Sequence, residues 1–174
     1  MLSLSSLAGW EDAVLASIRG TSGSLEEQDR QIERSGLYGE YPAIVRAYIE
    51  LFSDTHSAAE AMKRAVFLVW RGAMAPPAET GIAALPDGTS RTVIEELDAR
   101  VRRGATDDEL AWMLAWYHAE GPHVFELFGG TLWLFRFAER EPREAWRSAA
   151  ITPASMAQRG QLGRYWATLA AGTR

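Results

Sequence analysis

The run Ala65-Val-Phe-Leu-Val-Trp70 sets the strongest limit on how this chain can fold. A helix made of these residues is apolar around its whole circumference, so other elements must surround it. Ser57 with Glu60 reads as a capping box that starts such a helix, with Asp54 as the other possible start, and Pro76-Pro77 stops it. The expectation is one central helix over about residues 58 to 75. The stretch from there to Ser90 is the longest loop, and loops of that length within a domain tend to be functional or mobile.

The rest of the chain also carries helical punctuation. Leu4, Leu7, Trp10, Val14, Leu15 and Ile18 recur at three-and-four spacing and are halted by Gly20. Ser24 with Glu27 and Thr106 with Glu109 form two further capping boxes, Gly36 supplies a left-handed stop, and Pro42 suits a first helical turn. Arg91 to Arg103 reads as a surface helix supported by Glu96–Arg100 and Asp98–Arg102 pairs. Residues 124 to 137 are apolar enough for either a helix or a buried strand. Two short helices meeting at Gly129-Gly130 are the first choice, because nothing nearby could pair with a strand. Pro142 opens a short helix, and Thr152-Pro153 caps the last one. The whole reads as an all-α fold, with residues 1 to 174 forming a single domain of seven to nine helices.

Composition removes several classes of function. The chain has 174 residues and no cysteine, which excludes disulfides, thiol nucleophiles and cysteine metal sites. No stretch is long and apolar enough to cross a membrane, and the acidic residues Glu11 and Asp12 follow too soon for a secretory signal. A cytoplasmic, bacterial protein is expected. The net charge of -5 argues against nucleic-acid binding. Phosphate loops, dinucleotide glycines, the nucleophile elbow, helical zincin pairs and EF-hand loops are all missing from the sequence.

His118, Glu120, His123 and Glu126 lie close in sequence, but Gly121-Pro122 divides them between two helices, so no metal and no cofactor is expected. His56 and Glu60 read as a surface pair. The aromatic residues between Trp112 and Phe137 supply core, and they could also line a cleft near Gly121-Pro122 bounded by Trp70, Arg71, Trp112, Trp116, His118 and His123. Arg71 would serve there or in an ion pair.

Residues 1 to 60 carry ten acidic and four basic side chains. Glu26, Glu27, Asp29 and Glu33 are the centre of that field, which would draw in a basic protein partner. The leading expectation is therefore a non-catalytic binding protein, similar in type only to helical antitoxin and immunity proteins. The alternative is a small-molecule binder or enzyme that uses the aromatic cleft.

Overall fold

In the computed structural model, which describes residues 2 to 172, local capping chemistry starts several of the helices. Ser3 caps α1 (Leu4–Arg19) by accepting the Ser6 N–H, and Ser24 with Glu27 makes the expected reciprocal box on α2 (Leu25–Arg34). The chain continues through α3 (Glu40–Glu50), α4 (Ala58–Met74), α5 (Pro77–Thr80), α6 (Asp87–Arg102) and α7 (Asp108–Glu120). It closes with α8 (Pro122–Leu127), α9 (Leu132–Ala138), α10 (Pro153–Met156) and α11 (Gly160–Gly172). No strand occurs among the described residues, so the fold is all-α. The described residues form eleven α-helices rather than seven to nine, in part because α5 and α10 are separate single turns of four residues, each opened by a proline.

One hydrophobic core runs through the molecule. Every residue of α4 from Ala61 to Trp70 is buried, and the helix packs against α3, α6 and α11. Residues 122 to 138 form the two short helices expected around Gly129-Gly130. Thr152 and Ser155 form a capping box, but it starts α10 and not the last long helix. Gln158 and Gly160, both with φ of 57°, turn the chain into α11, of which Gly160 is the first residue. The helix expected after Pro142 is a 3₁₀ turn over Ala145–Ser148.

Two of the expected capping boxes are not made, for a shared electrostatic reason. Ser57 makes no side-chain cap on α4; the Asp54 carboxylate accepts the Ser57 N–H at 2.7 Å, and its bonds to Ser57 hold the Asp54 carboxyl below its ordinary pKa. Asp107, not Thr106, caps α7. The glutamates of both boxes are drawn to Arg159, whose guanidinium donates to Glu60 at 2.6 and 2.7 Å and to Glu109 at 2.8 and 3.0 Å. Arg64 also pairs with Glu60, and Lys63 with Glu109 and Asp107. A bidentate guanidinium is a stronger donor than a backbone amide, so the inward-facing carboxylates turn to the cations. Burial opposes charge on both Glu109 and Arg159. For Glu109 the pairing with Arg159 and Lys63 prevails and lowers its pKa; for Arg159 the carboxylates prevail and raise it. The expected His56–Glu60 surface pair is replaced by these contacts, and His56 is exposed.

Candidate functional site

The six residues expected around a cleft separate into three environments. Trp70, Trp112 and Trp116 are only 3%, 8% and 9% exposed and belong to an aromatic cluster between α4, α7 and α11. Trp166 lies within it, edge-on to Trp112 at 4.6 Å, while Trp70 stacks on Tyr117 at 4.7 Å. The Trp116 indole donates to the Tyr165 hydroxyl at 2.7 Å, and the Trp166 indole to Tyr117 at 3.0 Å. These rings fill space.

His118, at the end of α7, lies against the rings of Phe125 and Phe135, whereas His123 is exposed on α8. Glu120 pairs with Arg143. Among the described residues no group of three or more histidines and carboxylates is arranged to hold a metal ion.

Arg71 is in a third environment. It lines a cavity of about 730 Å³ to which neither α7 nor α8 contributes a residue, so the space lies apart from the Gly121-Pro122 break. Helix α1 contributes Leu15, Ile18 and Arg19 to this cavity, and α4 contributes Phe67 and Arg71. One wall is α5, with Ala78, Glu79 and Thr80; another is α11, with Gln161, Arg164, Tyr165 and Leu169. Leu15, Ile18, Phe67 and Leu169 give it an apolar face, with arginines around them.

The long loop supplies one wall of the cavity. Its single turn α5 ends at Gly81, with φ of 73°, where a Cβ would meet Ile18 at 2.4 Å. Only glycine satisfies both the conformation and the contact. Ile82 is fully buried, so the loop is pinned in the core. Gln161 holds the wall from the other side: its amide donates to the Thr80 carbonyl at 2.7 Å and to the Tyr41 hydroxyl.

Gln161 also joins the cavity to a buried carboxylate. Its backbone N–H donates to Glu11 at 2.8 Å, and Tyr48 donates to the other oxygen of Glu11 at 2.6 Å. Glu11 is 1% exposed, and burial pushes its pKa up to about 7 against these two hydrogen bonds. A Cβ on Gly160 would lie 2.5 Å from this carboxylate, so α11 can start here only with glycine.

The arginines differ in how they are satisfied. Arg71 pairs with Glu79, and its guanidinium lies 5.6 Å from the centre of the Tyr165 ring. Arg164 donates from Nε and Nη2 to one oxygen of Asp12 at 3.0 and 2.7 Å. Arg19 has no carboxylate partner among the described residues. Of the residues that the sequence marks as cleft candidates, Arg71 alone lines this cavity. Arg19 and Arg164 carry no such mark, since each reads as the polar side of an amphipathic helix.

The acidic residues singled out on α2 are all exposed. Glu27 is used by the Ser24 cap, which lowers its pKa, and Asp29 accepts the Tyr38 hydroxyl. Glu26 stands 3.8 Å from Arg30, and Glu33 is left to solvent. No described helix is long and apolar enough to cross a membrane. Compared with protein-family models, with curated proteins and with solved structures, the chain gives no match.

Proposed function

We propose that this protein binds a small molecule in the cavity bounded by α1, α4, α5 and α11. The observation that carries the reading is the cavity of about 730 Å³ in which apolar side chains and the Arg71 guanidinium face the same space. Ligand sites typically occupy roughly 300 to 1,000 Å³ and combine apolar walls with a few polar groups that fix orientation. This reading keeps Arg71 from the expected site and moves the site away from Gly121-Pro122. It calls for binding.

The test is native purification followed by mass spectrometry of the small molecules that come with the protein. A compound should accompany the wild type and be lost from Thr168→Trp, which puts an indole on the stretch of α11 where Thr168 also lines the cavity. Recovery of nothing from the folded wild type, or of the same compound from the filled variant, overturns the reading.

A second reading is favoured by α2, whose ten residues include four exposed carboxylates and only Ile32 buried. Here a basic protein meets Glu26, Glu27, Asp29 and Glu33. Reversing Glu26 and Glu33 to lysine should abolish salt-sensitive capture of that partner with little change in melting temperature, because exposed charges contribute little to stability. Equal capture by the reversed protein counts against this reading.

A further inference from the structure

We infer that the ligand of this cavity is an amphipathic carboxylate, and that Glu79 is an internal carboxylate holding its place at Arg71. This inference rests on the cavity being a ligand site and adds the chemical class of the ligand.

The charge around the cavity is unequal. Arg19, Arg71 and Arg164 line it, against the single carboxylate of Glu79. Asp12 already occupies Arg164. The Arg71 side chain is 22% exposed, and its guanidinium is paired with a carboxylate. That carboxylate is Glu79, which is itself 59% exposed and rides on a single helical turn between Pro76 and Gly81. A pair with one exposed member on a short turn is weakly held. An incoming carboxylate can form the same charge-assisted hydrogen bonds with Arg71 while its apolar body covers Leu15, Ile18, Phe67 and Leu169. Glu79 then swings out to solvent, and Arg19, which has no carboxylate partner among the described residues, adds attraction at the rim. A neutral compound would gain the apolar contacts but could not take the place of Glu79.

The experiment is calorimetric titration of the full chain with decanoate, decanol and decyl phosphate, each below its micelle concentration. Decanoate should bind at least tenfold more tightly than decanol. Arg71→Gln should weaken decanoate by roughly tenfold and leave decanol unchanged, and Glu79→Gln should strengthen decanoate several-fold by removing its competitor. Circular dichroism melts establish that each variant is folded. Equal binding of decanoate and decanol, or no gain in Glu79→Gln, overturns the carboxylate inference and leaves the cavity reading standing. Tighter binding of decyl phosphate than of decanoate also overturns it, in favour of a phosphate headgroup. If none of the three probes binds the folded wild type, this inference fails; the cavity reading still answers to the native purification test.

Discussion

Glu11 is a carboxylate at the meeting point of three helices, held by Tyr48 and the Gln161 amide and shielded from water. Its pKa in the fold, about 7, lies above the 4.5 of a free glutamate, so the folded state binds its proton more tightly than the unfolded chain does. The stability this proton confers is full below about pH 4.5 and is lost as pH rises through 7. Arg64 favours the charged form and Asp12 opposes it, both as smaller influences than burial. Urea denaturation across this range should show the wild type losing roughly 3 kcal/mol relative to Glu11→Gln, whose amide has no proton to release. Parallel curves for the two proteins would mean that Glu11 titrates normally. In the sequence Glu11 has the look of a solvent-facing acid beside Asp12. Nothing local marks it as buried, because its donors come from residues 48 and 161.

Helix starts follow from local chemistry, and the sequence reveals them wherever the capping group has no better partner. Ser24 with Glu27 stays a box because no arginine among the described residues pairs with Glu27, whereas Glu60 and Glu109 face Arg159 and leave theirs. The single turns α5 and α10 are hidden for another reason: four residues are too few to display a period. Glycines separate local from tertiary requirements at the same scale. Gly9 lies inside α1, where an added Cβ would have nothing within 4 Å, while at Gly163 a Cβ would sit 2.1 Å from the Met156 carbonyl oxygen. Gly9→Ala should therefore raise stability by about 0.8 kcal/mol, the intrinsic helix preference. Gly163→Ala should lower it by several times that amount, since α11 must move away from α10. Thermal melts of the two variants check both signs.

Across the whole molecule, the capping boxes and proline-led helix starts make an all-α fold the expectation, and the fold agrees. The cavity is beyond reach of the sequence because its walls come from helices as far apart as α1 and α11. What holds distant parts of the chain together is Arg159, joined to Glu60 across 99 residues and to Glu109 across 50. Glu60 and Glu109 are 22% and 29% exposed, so removing their shared cation strands them in partial burial. Arg159→Met should cost about 3 kcal/mol. In a chain of this size that is a drop of roughly 6 to 12 °C in melting temperature, read by calorimetry. A drop of a degree or less would mean that Arg64 and Lys63 neutralise the two glutamates without help.

The ribosome supplies Arg159 after both of its carboxylate partners. Until it emerges, Glu60 and Glu109 have only Arg64 and Lys63 beside them, and Glu11 lacks the Gln161 amide that completes its coordination. Closing loops this long is entropically costly and comes before the contacts that reward it. The part of the chain already made thus lacks the cation that joins the two glutamates and the amide that meets Glu11. Consolidation of the tryptophan-rich core is therefore expected to follow the synthesis of residues 159 to 166, and a chain cut short before Arg159 should be digested by protease faster than the full chain.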